Sequence, residues 1–177
     1  SALLKKCPVG HKHHILLRLA YHTGARIGEV LGLTWDDVDL QNSTIHICRQ
    51  LSSAGRRCCM FFSEPKSSAS TRKIYIDGGM VNALREWKII QAQNELRLGN
   101  AYQIVYECPD RRVYTAPKIE AAPEGMVRRP LVCSDRFGLP VSYASLRHLL
   151  SAHGLNSHSF RHTHATRLIE AGANPID

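Results

Sequence analysis

The sequence predicts a mainly helical α+β domain in which helices precede and follow a three-stranded antiparallel sheet. Three observations carry that expectation. Apolar residues recur at helical spacing near both ends of the chain, and again at Met80, Leu84, Trp87 and Ile90. Runs rich in β-forming residues cluster between positions 44 and 76, bounded by polar turn residues. Helical segments stand on either side of that cluster and do not alternate with its strands.

In chain order, residues 13–22 (HHILLRLAYH) read as a mostly buried helix closed by Gly24. A second helix is expected in ARIGEVLGL, with Val30, Leu31 and Leu33 inward. The first strand falls at 44–49, where Ile45, Ile47 and Cys48 supply β-type side chains, and two more at 58–62 (CCMFF) and 72–76 (RKIYI). Between the last two lies the polar stretch SEPKSSAS, read as a hairpin loop with Lys66 near its start. A long helix follows from Met80 and ends at Gly99. Residues 99–129 hold three tyrosines, three prolines and the pairs Arg111–Arg112 and Arg128–Arg129, and read as an irregular insertion or extended arm. PLVCS suggests a short strand, and Ser142 can cap a helix that runs through Leu150 and stops at Gly154. The last helix opens near His158 and ends at Gly172, with Pro175 placed to start another.

A length of 177 residues suits one domain, and 44% hydrophobic with 21% charged residues is ordinary for a globular chain. No apolar run approaches a membrane span, and the N-terminal stretch lacks the apolar core of a signal peptide. The net charge of +8 favours a polyanionic partner. Between 41 and 80 six cations (Arg49, Arg56, Arg57, Lys66, Arg72, Lys73) face two acids (Glu64, Asp77), so the sheet region is basic. The six cysteines show no disulfide spacing, with Cys58 and Cys59 adjacent and the others far apart; reduced thiols are expected.

Two arginines extend apolar helix stripes. Arg26 is in line with Val30 and Leu33, and Arg161 with Ala165 and Leu168. A guanidinium so placed belongs at the rim of a pocket, beside free N–H groups at a helix start that favour an anion. Two such sites converging would clamp a phosphate, because the guanidinium fork matches its oxygens. For Arg26 alone, an ion pair with Glu29 or Asp37 is the plainer expectation; Lys66 alone is a solvated loop lysine and His158 alone a capping residue. A metal enzyme is a rival reading. His11, His13 and His14 lie beside Cys7, and His158 and His162 are four apart, but His162 and His164 cannot share a face and no acid offers a clear third ligand. Asp36, Asp37 and Asp39 suit a helix-end turn. No metal and no cofactor are expected.

Three stretches together resemble the tyrosine recombinases of the phage-integrase family. TGARIGEVLGLTWDDVDL is similar to the family's first-arginine motif, EPKSSASTRKIYID to its lysine-bearing β-hairpin, and HSFRHTHATRLIEAGANP to its His-x-x-Arg motif. The resemblance is nearest to integrases of phages and conjugative transposons of Gram-positive bacteria. It implies that Arg26 and Arg161 grip the scissile DNA phosphate, that Glu29 supports them, that Lys66 protonates the departing 5′ oxygen, and that His158 aids proton handling. It further implies attack by a tyrosine, a 3′-phosphotyrosine intermediate, no consumed metal or nucleotide, and self-assembly of the full-length protein on double-stranded DNA. Phosphoryl transfer asks for these side chains on its own account: fixed cations stabilise charge on the equatorial oxygens, and a lysine whose pKa is lowered by nearby arginines can serve the alkoxide as acid.

Tyr21, Tyr75, Tyr102, Tyr106, Tyr114 and Tyr143 all precede His158, whereas the family's nucleophile follows that motif. The expectation is therefore a catalytic domain truncated before its tyrosine and lacking the N-terminal core-binding domain. Such a chain is expected to be monomeric, to reside in the bacterial cytoplasm with the nucleoid, and to bind DNA through Arg49, Arg56, Arg57, Arg72 and Lys73 without cleaving it. The alternative is a non-catalytic DNA-binding or assembly module derived from a recombinase, with a metal-dependent phosphodiesterase a distant third.

Overall fold

The computed structural model describes residues 2–54, 59–65, 70–170 and 172. Helix α1 (Ala2–Lys6) leads into α2 (His14–Thr23) and α3 (Ile27–Leu31). A long helix, α4 (Gly78–Leu98), packs against α2, while α5 (Tyr143–Ser151) and α6 (Ser159–Glu170) close the chain's fold. Ile15, Leu16, Leu19, Val30, Ile45, Phe62, Met80, Leu84, Leu146 and Leu150 form the centre of one continuous core, so both helix-start and helix-end segments share it with the strands. Among the described residues no helix is long and apolar enough to cross a membrane.

The α+β class holds, with a different strand arrangement. Strands β1 (Val38–Asp39), β2 (Thr44–Ile47) and β5 (Arg72–Tyr75) form one antiparallel sheet in the order β1-β2-β5. Strands β3 (Gln50–Ala54) and β4 (Cys59–Ser63) pair separately, with Leu51 opposite Phe62. The strand read at 58–62 is described from Cys59 and pairs with 50–54, and β5, its expected hairpin partner, belongs to the other sheet. Strand β2 already has a partner on each side, Ile45 facing Val38 in β1 and Ile74 in β5, so β4 must pair elsewhere. β3 (QLSSA) carries little β-type composition and is held as a strand by that pairing and by α3. Gly32, just past α3, makes this approach possible, since a Cβ there would lie 2.8 Å from the Gln50 carbonyl carbon.

The segment read as irregular is a third sheet. β6 (Gln103–Glu107) lies between β7 (Val113–Pro117) and β8 (Val127–Arg128), and Tyr102, Ile104, Tyr106 and Ala116 make a small core of their own. Tyr102 and Tyr106 are packing residues there, while Tyr114 is exposed. PLVCS forms only isolated bridges, Leu131 to Thr34 and Ser134 to Pro140, and its backbone is held by α4: Trp87 Nε1 donates to the Val132 carbonyl at 2.8 Å and Gln91 Nε2 to the same carbonyl at 3.1 Å. The Ser142 cap and the Gly24 stop follow expectation, and Asp77 adds a cap to α4. Ser142 Oγ accepts from Ser145 N, Asp77 Oδ1 from Met80 N, and Gly24 closes α2 in a left-handed conformation at φ 59°.

Candidate active site

Arg26 stands at the N-cap of α3 in an extended conformation, and Glu29 folds back so that its Oε2 accepts from Arg26 N at 3.1 Å. The same carboxylate takes two guanidinium bonds: Arg26 Nη1 to Oε1 at 2.8 Å, and Arg72 Nη2 from β5 to Oε2 at 3.0 Å. Ser70 joins both arginines, its Oγ accepting from Arg26 Nη1 at 3.1 Å and its carbonyl from Arg72 Nη1 at 2.8 Å. Glu29 is 1% exposed. Burial works to raise its pKa, but the hydrogen bonds from Arg26 and Arg72 outweigh it and hold the group below the usual carboxylate range. One buried anion between two cations leaves a net positive site. The Arg26 side chain keeps 43% of its surface exposed, so part of the fork faces outward.

Helix α6 brings the second motif against the turn between α2 and α3. Arg161 Nη1 lies 3.5 Å from the Gly24 carbonyl, in the α2–α3 turn that carries Arg26. One turn on, His164 covers Gly24 so closely that a Cβ on the glycine would sit 2.5 Å from its Cδ2. A turn further, Arg167 Nη1 donates to Tyr21 Oη at 2.7 Å and stacks over that ring. Residues 161, 164 and 167 therefore form the docking stripe of α6 on α2. This corrects the apolar stripe read through Arg161, Ala165 and Leu168: no residue of α6 is buried, and Leu168 is 47% exposed. His158 is exposed in the lead-in to α6, where Asn156 Oδ1 accepts from His158 N at 2.9 Å and Ser159 N at 3.1 Å. It precedes Arg161 by three residues, close to one helical turn.

The remaining expected site residues separate. Lys66, Arg56 and Arg57 lie outside the described residues. Arg49 is 19% exposed and turned inward, ion-paired to Asp37 and donating to Thr34 Oγ1 at 3.1 Å, while Asp37 also accepts from Thr34 N. Arg72 belongs to the Glu29 cluster, and Lys73 is exposed on β5 opposite His46. The sequence reading missed Ser70 and the packing of His164 on Gly24, for which no local pattern exists. It also missed that Arg72, taken as a surface cation, shares Glu29 with Arg26. Two groups of metal-capable side chains occur among the described residues: Cys7, His11 and His13, and Asp37, His46 and Cys48, the latter beside Arg49.

Known proteins resemble the chain over nearly all of its length. A tyrosine recombinase XerC-like protein of Caldanaerobacter subterraneus subsp. tengcongensis is 26% identical over 179 aligned residues, covering 96% of this chain and 41% of its own. The ICEBs1 integrase of Bacillus subtilis is 26% identical, covering 89% of this chain and 38% of its own. The chain thus spans about two fifths of the length of these relatives. In fold it is similar to the Tn1549 transposon integrase solved with transposon right end DNA, with a TM-score of 0.67 at 21% identity over 99% of this chain and 52% of that one. Residues 2–108, well over half of the chain and including the Arg26 motif, match the phage integrase family, and the chain belongs to that family.

Proposed function

We propose that this chain supplies the phosphate-binding centre of a site-specific DNA recombinase, with Arg26 and Arg161 as the gripping pair. The observation that carries this reading is the seating of Arg161 on the turn that bears Arg26, beside a buried carboxylate that both Arg26 and Arg72 share. Glu29 fixes Arg26 by three residues of helix and two kinds of bond, so the guanidinium meets a phosphate without reorganising. A cation pre-set in this way stabilises charge as it develops on the non-bridging oxygens of a DNA phosphodiester. His158 stands one turn ahead of Arg161 and contacts the same phosphate. Lys66, from the segment between β4 and β5, donates the proton to the 5′ oxygen as it leaves.

In this reading the nucleophile is a tyrosine other than the six of this chain. Tyr102 and Tyr106 are buried in the third sheet, and Tyr21 is engaged with Arg167. Attack by that tyrosine forms a phosphodiester to protein and frees a 5′-hydroxyl; religation reverses the exchange, so no external energy is consumed. The chain alone binds duplex DNA as a monomer and does not cut it, and assembly on DNA belongs to the longer protein. Fluorescence anisotropy with a duplex oligonucleotide tests the grip. Arg26→Ala and Arg161→Ala are each expected to weaken binding about tenfold and to flatten its salt dependence by about one counterion. Unchanged affinity and slope in both variants would overturn the assignment.

A further inference from the structure

We propose that Cys7, His11 and His13 form a binding site for a zinc-class transition metal ion, independent of the arginine cluster. The three side chains meet at the turn between α1 and α2, with one donor atom of each within 4.8 Å of the others. Donors around a tetrahedral zinc ion lie about 3.5 Å apart, given bond lengths of about 2.0–2.3 Å, so modest side-chain rotation closes the set. Cys7 is fully buried at the end of α1, His13 is 4% exposed, and His11 is half-buried toward solvent.

The independent observation is an orphaned nitrogen. His13 Nδ1 is buried with no hydrogen-bond partner, the one such side-chain atom among the described residues. Its other nitrogen, Nε2, lies 3.0 Å from Ser145 Oγ on α5. That is the arrangement of a ligating imidazole: an outer partner holds the ring and leaves the second nitrogen for the ion. His11 Nδ1 accepts from His13 N at 3.2 Å, which leaves its Nε2 available, and His14 Nδ1 is 2.7 Å from the Cys7 carbonyl and steadies the turn. A thiolate with two imidazoles and no carboxylate suits zinc and disfavours magnesium or calcium. Cys7 binds with loss of its thiol proton to solvent, and a water completes the four ligands. The ion would join α1 to the start of α2 and, through Ser145, to α5. Helix α2, ten residues and so about 15 Å long, carries the arginine turn at its other end. By contrast, Asp37 in the group with His46 and Cys48 is already taken by Arg49 and Thr34, so that group carries no site.

Cobalt(II) titration of the untagged, reduced chain tests the site. The expected result is one cobalt per chain, with a thiolate-to-cobalt charge-transfer band and tetrahedral d–d intensity, displaced by zinc. Cys7→Ser abolishes the charge-transfer band, His11→Ala weakens binding at least tenfold, and His46→Ala leaves it unchanged. Zinc raises the midpoint of thermal unfolding of the parent chain but not of His11→Ala, whose half-buried side chain can be removed without opening the core. If Cys7→Ser fails to fold, His11→Ala decides. Absence of the band in the reduced parent chain, its survival in Cys7→Ser, or equal affinity in folded His11→Ala overturns the proposal.

Discussion

Arg161 lies against the carbonyl of Gly24 across 137 residues of sequence, and His164 from the same helix closes over the same glycine. The turn between α2 and α3 is therefore both the carrier of Arg26 and the seat of α6. Gly24 is needed twice, for its left-handed φ of 59° and for the space that His164 fills.

Gly24→Ala should consequently destabilise the chain by about 2–4 kcal/mol, combining the left-handed penalty with a steric clash. The double variant Gly24→Ala/His164→Ala separates the two. Removing the imidazole relieves the clash but not the backbone strain, so the loss in the double variant should be smaller than the sum of the single losses. Denaturant unfolding of the four proteins measures this. Additive losses would mean that His164 does not pack on Gly24.

Glu29→Gln keeps the shape of the side chain and removes its charge. Two guanidinium groups then share a neutral acceptor, and a loss of about 2–4 kcal/mol is expected because a buried charge network has lost its centre. The pH dependence has a definite sign. The folded-state pKa is depressed below its ordinary value of 4.5, so the carboxylate's contribution is full above that pH and is lost as pH falls through the lower folded value. The stability gap between the parent chain and Glu29→Gln should stay constant from neutral pH down to about pH 5 and narrow in stronger acid. Urea midpoints across that range test the sign.

The helix boundaries were legible because their signals are local. Gly24 after an apolar helix, Ser142 ahead of another, and Met80, Leu84 and Trp87 on one face each act within a turn or two. The sheets were not, because pairing is decided by which edges remain free. Nothing within QLSSA announces a strand until Phe62 and Leu51 are opposite each other. The arginine cluster was legible in part. Arg26 and Glu29 are three apart on one helix, and that contact could be read as one of two alternatives, whereas Arg72 and Ser70 reach Glu29 and Arg26 only through the tertiary fold. The stripe on α6 differs for a related reason: Arg161, His164 and Arg167 meet α2 and the turn after it, and the apolar contact comes from Phe160 and not from Leu168.

Under the proposed function, Arg49 and Arg161 separate a cation that builds the fold from one offered to DNA. Arg49 is withdrawn onto Asp37 and Thr34, so Arg49→Ala should cost about 1–3 kcal/mol of stability and leave the salt slope of duplex binding unchanged. Arg161 sits on an exposed helix with a single long contact to backbone. Arg161→Lys should fold as the parent does yet bind DNA several-fold more weakly, because an ammonium cannot present two parallel donors to a phosphate. Thermal unfolding and anisotropy on both variants distinguish the roles; reversed phenotypes would exchange the two assignments.

His164 should make the docking of α6 dependent on pH. Its pKa is lowered chiefly by burial, with further lowering from Arg167, His22 and Arg161 and an opposing rise from a bond to the Tyr21 backbone. The fold thus favours the neutral ring, and the unfolded chain takes up a proton first as pH falls below the ordinary value of 6.5. Stability held by His164 is complete above that pH and declines below it until the folded ring also protonates. Helix α6 buries no residue of its own, so the loss should fall on its docking before it reaches the core of Ile15, Leu16 and Leu84. Amide hydrogen exchange should accelerate in residues 159–170 between pH 7 and pH 5.5, after correction for intrinsic rates, while α4 stays protected. His164→Gln, neutral throughout, should lose that pH dependence; equal acceleration in α4 and α6 would place the titration elsewhere.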